Sequence, residues 1–110
     1  MPEKIIVHCT CPTEEEAQRV ALHVVGLRLA ACAAVTKGVR SFYRWKGALE
    51  ESEECALTMK SRADLFEELC AEIRKEHSYE TPEILAVPVV DGAAGYLAWM
   101  DEELRPVGGE

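Results

Sequence analysis

The alternation of apolar and polar positions divides the chain into two similar halves and a short closing helix. Between Lys4 and Thr10, the β-branched run Ile5-Ile6-Val7 with polar ends predicts a central strand covered on both faces. In Cys11-Pro12-Thr13-Glu14-Glu15-Glu16, Thr13 is placed to cap a helix and Glu16 to return a hydrogen bond to the Thr13 backbone. Ala17, Val20, Ala21, Val24 and Leu27 then recur at the spacing of one buried helical face, so the helix is expected to end near Leu29 or Ala30. Ala33 to Trp45 holds Val35, Val39, Phe42 and Tyr43 and reads as a long strand, with Gly38 where a bulge or bend fits. Lys46-Gly47 supplies a tight reversal. On the return, Glu53, Cys55, Leu57 and Met59 alternate with Glu54, Ala56, Thr58 and Lys60.

The second half repeats the plan. Ser61 and Asp64 predict another capping box, followed by Leu65, Phe66, Leu69, Cys70 and Ile73 at helical spacing to about Glu76. Pro82 interrupts the helical pattern, and Ile84, Leu85, Val87, Val89 and Val90 resume as a strand. Pro88 cannot donate to a ladder, which makes that strand an edge or a bulged one. After a turn at Asp91-Gly92, Tyr96, Leu97, Met100 and Leu104 outline a third helix. Residues 105–110 read as a flexible tail, leaving a core of about 4–104 in a single domain of 1–110.

This order predicts an α+β, ferredoxin-like βαββαβ sandwich with an extra C-terminal helix. Right-handed crossovers put both main helices on one face of an antiparallel sheet and leave the other face bare. A bare sheet face next to the aromatic hairpin Phe42, Tyr43 and Trp45 predicts self-association. The hairpin arms exceed the usual strand length, so their outer ends are expected to pair with a neighbouring subunit.

Composition narrows the function classes. A 110-residue chain with 48% hydrophobic and 29% charged residues suits one compact domain. The formal charge of -8 opposes nucleic-acid binding. No apolar stretch approaches the roughly 20 residues of a bilayer span, and Met1 to Thr10 lacks a signal-peptide pattern, so a cytoplasmic protein without a membrane partner is expected. Cys9, Cys11, Cys32, Cys55 and Cys70 are odd in number and scattered, which suits reduced thiols rather than a disulfide framework or a zinc ribbon. Glu50, Glu51, Glu53 and Glu54 are read as blunting a strand edge.

Several separate motifs, in order, resemble one family. They are Cys9-Thr10 with Pro12, Leu29-Ala30-Ala31-Cys32, Ser41-Phe42-Tyr43-Arg44-Trp45-Lys46-Gly47, Tyr79-Glu80-Thr81-Pro82-Glu83-Ile84 and Tyr96-Leu97-Ala98-Trp99. Over nearly its whole length the chain resembles the CutA divalent-cation tolerance proteins. That resemblance implies a cytoplasmic homotrimer that binds copper, with other divalent ions such as zinc as further candidates, in metal tolerance and homeostasis. It also implies a ligand set of one cysteine at the end of the first strand and two consecutive histidines before the Tyr-x-Thr-Pro-Glu segment. Cys9 and His77 fall on two of those positions, and Glu76 stands on the third.

A carboxylate in place of an imidazole hardens the set, suiting Zn(II) or Cu(II) better than Cu(I). Cys11 lies two residues from Cys9, on the same strand face, and offers a second sulfur. Each candidate has a plain structural alternative: a packed thiol for Cys9 and Cys11, a dipole-facing helix end for His77, an interface histidine for His8 and a structural or solvent-facing one for His23. Tyr43, Trp45, Tyr79 and Trp99 are read as interface packing rather than a pocket. The reading is therefore coordination, not catalysis; a Cys9–His77 hydrolase has the residue types alone. The alternative is a PII-like trimeric signalling protein with a small ligand in inter-subunit clefts, although no glycine-rich phosphate loop or basic cluster supports it.

Overall fold

A computed structural model describes residues 2–108; Gly109 and Glu110 of the expected tail lie outside the described residues. The elements are β1 (Lys4–Cys11), α1 (Glu14–Gly26), β2 (Cys32–Trp45), β3 (Ala48–Arg62), α2 (Phe66–Glu76), β4 (Ile84–Pro88) and α3 (Ala94–Glu103). The strands form one antiparallel sheet in the order β2-β3-β1-β4, the split βαββαβ arrangement with a third helix added. β1 is central and β4, which carries Pro88, is an edge, as the missing donor requires.

Side-chain alternation along β1 sorts the sheet into two faces. Ile5, Val7, Cys9 and Cys11 are buried, and their register partners on β3, Ser61, Met59, Leu57 and Cys55, are buried with them. These join Ala17, Val20 and Val24 of α1 and Leu69 and Ile73 of α2 in one core. The opposite face carries His8, Leu85 and Val87, all exposed. α3 reaches that face at the other end of β1, where Asp101 bonds Lys4 and Arg62.

Local chemistry moves several expected boundaries. α1 ends at Gly26 rather than near Ala30 because Arg28 takes a left-handed conformation, φ 62°. Arg28 N–H then donates to the Val25 carbonyl and Leu29 N–H to that of Val24, closing the helix in a Schellman arrangement. The Arg28 guanidinium contributes beyond the cap by donating to the carbonyls of Glu102 and Glu103, which ties the end of α3 to the end of α1. Half of the first capping box forms. Thr13 Oγ1 accepts from Glu16 N–H at 3.1 Å, but the buried Glu16 carboxylate accepts from Ser78 N–H at 2.9 Å instead. Thr13→Ala is expected to cost about 1 kcal/mol of unfolding free energy in urea titration, through the lost cap alone.

The second capping box does not form. Ser61 lies inside β3, where its hydroxyl donates to the Leu29 carbonyl at 2.6 Å. Asp64 instead receives the Arg62 guanidinium, and a short 3-10 turn over Ala63–Leu65 leads into α2 without a side-chain cap. The register shift between Thr36 and Val39 with Gly38 at φ 80° is the bulge expected there, and Lys46 and Gly47, at φ 51° and 82°, make the hairpin turn. Arg105, assigned to the tail from sequence, donates to the Leu27 carbonyl and Glu68 and holds its own carbonyl against Arg62.

Candidate metal centre

β1 presents Cys9 and Cys11 to the helix side of the sheet because residues two apart on a strand share a face. α2 delivers the third group. At its C-terminal cap the chain turns extended, φ -92° and ψ 138° at His77, and the imidazole folds under the helix with no exposed side-chain surface. One ligand atom from each of Cys9, Cys11 and His77 lies within 4.8 Å of the other two, and all three residues are buried.

The imidazole is held at both nitrogens. Nε2 lies 2.7 Å from the Thr10 carbonyl, and Nδ1 accepts from the Tyr79 N–H at 3.1 Å. A carbonyl can only accept, so these partners assign the neutral ring with its proton on Nε2. Glu16 Oε2 stands 3.3 Å from Nδ1. Interaction with the Cys11 sulfur, then burial, pushes the Cys9 thiol far above the ordinary range. Cys11 moves the other way, chiefly because it accepts the proton that Cys9 shares. Glu16 disfavours a negative charge on either sulfur, so the surroundings favour an arriving cation over a second thiolate.

Glu76 is not brought into this group. Its carboxylate lies 3.3 Å from Arg19 Nε, and its backbone carbonyl accepts from the same guanidinium. His8 is exposed on the opposite sheet face, and His23 contacts Glu72 at 2.8 Å. Cys55 stands across the ladder from Cys11, whereas Cys32 lies beside Tyr96. Sequence reasoning named Cys9 and His77 through the resemblance and Cys11 through strand alternation. It missed Glu16 and Tyr79, which look like a helix-capping acid and an interface aromatic until α2 is seen to end against β1.

The model of the CutA1 divalent ion tolerance protein family matches residues 5–103. The chain belongs to this CutA1 family. A divalent-cation tolerance protein CutA of Yersinia pestis (strain Pestoides F) is 43% identical over 100 residues, covering 91% of this chain and 84% of that protein. Among solved structures, the divalent cation tolerance protein of Thermus thermophilus superposes with a TM-score of 0.91 at 36% identity, covering 93% of this chain and 99% of its own. The CutA of Archaeoglobus fulgidus, described as a periplasmic divalent cation tolerance protein, gives a TM-score of 0.90 at 35% identity, covering 93% and 99%. CutA1 membership supports a role in metal tolerance, and the names of these relatives describe tolerance rather than a reaction. No helix among the described residues is long and apolar enough to cross a membrane.

Proposed function

We propose that the protein is a cytoplasmic homotrimer that holds copper, with zinc as a second cargo, and acts by coordination rather than catalysis. The observation that carries this reading is the buried convergence of two thiols and one imidazole within 4.8 Å. Cys9, Cys11 and His77 are the ligands it implies, and Cys11 replaces Glu76, whose carboxylate is engaged by Arg19. Two sulfurs and a nitrogen fit a soft or borderline ion, so Cu(I) and Zn(II) are favoured over Mg(II) or Ca(II). A bound ion supplies positive charge that stabilises the thiolates in an acid-lined, dry setting.

Anaerobic titration of the reduced protein with Cu(I), Cu(II) and Zn(II) tests the reading. Saturable uptake of Cu(I) and Zn(II) with release of thiol protons is expected. No uptake above background overturns it.

The trimer is supported by the bare sheet face, with Leu85 59% and Phe42 65% exposed, and by the strand lengths. β2 and β3 run 14 and 15 residues, against 8 in β1, so the hairpin extends beyond its own sheet. Leu85→Arg is expected to shift the protein to smaller species in light scattering while its circular dichroism is kept; an unchanged mass would argue against this face as the interface. Five free cysteines support a reducing compartment. The PII-like alternative is not favoured, because the family model and the relatives are those of CutA divalent-cation tolerance proteins.

A further inference from the structure

Cys11 and Cys55 stand opposite each other on the β1–β3 ladder, and both are buried in the subunit's own core. They face the helices, not the bare sheet face assigned to neighbouring subunits. The phase of the ladder fixes how close their backbones come. The Ala63 N–H donates to the Glu3 carbonyl at 2.8 Å, so every second pair from there, ending with Cys9/Leu57 and Cys11/Cys55, exchanges backbone hydrogen bonds. Such pairs hold their Cα atoms about 5.5 Å apart. Disulfides span Cα separations of about 4.4–6.8 Å, most often about 5.5–6 Å. Cys9 and Cys11, two residues apart on one strand, are separated by about 6.6–6.8 Å, the outer edge of that range. Cys11 therefore has its better covalent partner on β3 rather than on its own strand.

The ladder can also yield at this rung. Opposed Cβ atoms of a hydrogen-bonded pair lie about 5.5 Å apart and a disulfide brings them to about 3.5–4.5 Å, so the strands must close by about 1 Å. Cys11 is the last residue of β1, and no rung beyond it resists. Cys55 faces the β2 bulge on its other side: Thr36 pairs with Ala56 and Val39 with Glu54, so two β2 residues stand opposite one. We propose that Cys11 and Cys55 form a reversible disulfide within one subunit on exposure to a peroxide, and that this bond withdraws Cys11 from the metal set. The first half needs the ladder alone; the second rests on the metal reading above. Cys55 keeps 7% of its surface and Cys11 none, so Cys55 reacts first. Its sulfur attacks one oxygen of hydrogen peroxide and the O–O bond breaks; Cys55 becomes a sulfenic acid, and the displaced hydroxide leaves as water with the thiol proton. The Cys11 sulfur then attacks that of Cys55. The S–S bond forms, the S–O bond breaks, and the hydroxyl leaves with the Cys11 proton as a second water, two electrons having passed from the sulfurs to the peroxide. Strain from the drawn-in strands makes the bond easy to reduce.

Mass spectrometry of the reduced, metal-free full chain, treated with hydrogen peroxide and then alkylated, tests the proposal. The expected result is a loss of two hydrogens per chain, a crosslinked peptide joining Cys11 to Cys55, a denatured mass still that of one chain, and full reversal by a phosphine reductant. Cys55→Ala and Cys11→Ala should each lose the crosslink, whereas Cys32→Ser keeps it. Once peroxide is removed, the oxidised parent should hold Zn(II) at least about tenfold more weakly in competition with a chelator, and reduction should restore the affinity. Absence of a crosslink in the parent, one joining Cys9 to Cys11, or one joining two chains overturns the disulfide. A crosslinked parent with unchanged Zn(II) affinity overturns the withdrawal of Cys11. Reduced parent that takes up no Zn(II) removes the metal reading and the second half with it, while the crosslink still decides the first.

Discussion

The double variant Cys9→Ser/Cys11→Ser is expected to lose Cu(I) and Zn(II) uptake altogether, while Glu76→Gln retains it. Removing even a supporting partner around a metal costs about 10–100-fold in affinity. Here two of three converging donors are lost, and the remaining imidazole is already hydrogen-bonded at both nitrogens. Each single serine variant should fall between parent and double variant. The pH dependence has a definite sign. Metal entry must displace the proton kept on Cys9, whose pKa is raised, so apparent affinity increases as pH rises. Competition against a chelator of known affinity, in parallel for all variants, measures the effect. Parent-like uptake in the double variant would rule these sulfurs out, and a weakened Glu76→Gln would restore the carboxylate to the ligand set.

The largest stability loss is expected at Arg62. This side chain is 2% exposed and donates to Asp64 at 2.6 and 3.1 Å, to Asp101 at 3.4 Å and to the Arg105 carbonyl at 2.6 Å. Arg62→Ala opens a cavity and strips charged partners, and removing one member of a buried pair costs about 3–5 kcal/mol. Asp64 and Asp101 keep side-chain exposures of 26% and 40% and can rehydrate, which places the loss near the lower end. Urea titration at neutral pH reads it; a loss under about 1 kcal/mol would contradict the assigned role, being the scale of one exposed pair.

Acid should act on the same cluster. The Arg62 hydrogen bond, opposed in part by burial, holds the Asp64 carboxyl below its ordinary value of 3.8. A depressed carboxyl pKa adds stability that is fully present above the unfolded value and is lost as pH falls through the folded one. The parent should therefore lose this contribution below pH 3.8, and the slope should be shallower in Arg62→Ala.

Strand and helix order was legible because Val7, Leu57 and Val20 sit in periodic runs whose spacing depends on which face is buried. The ends of elements were not, since they depend on partners distant in sequence. Ser61 resembles a cap locally but finds the Leu29 carbonyl across the core. Arg28 gives no sign of a left-handed cap, which glycine ordinarily supplies, and the carbonyls of Glu102 and Glu103 that hold its side chain lie over 70 residues away. At the centre, strand alternation placed Cys9 and Cys11 on one face. Nothing local distinguished His77 from Glu76, which point to different neighbours only because α2 ends between them. Glu54 was misread because the acidic run around it is mostly exposed, and Tyr79, 25 residues further along the chain, folds back to bond it.

The ring of His77 has no idle lone pair: one nitrogen carries a proton directed at Thr10 and the other is taken by the amide of Tyr79. An ion recruiting that ring must therefore break one of these two attachments.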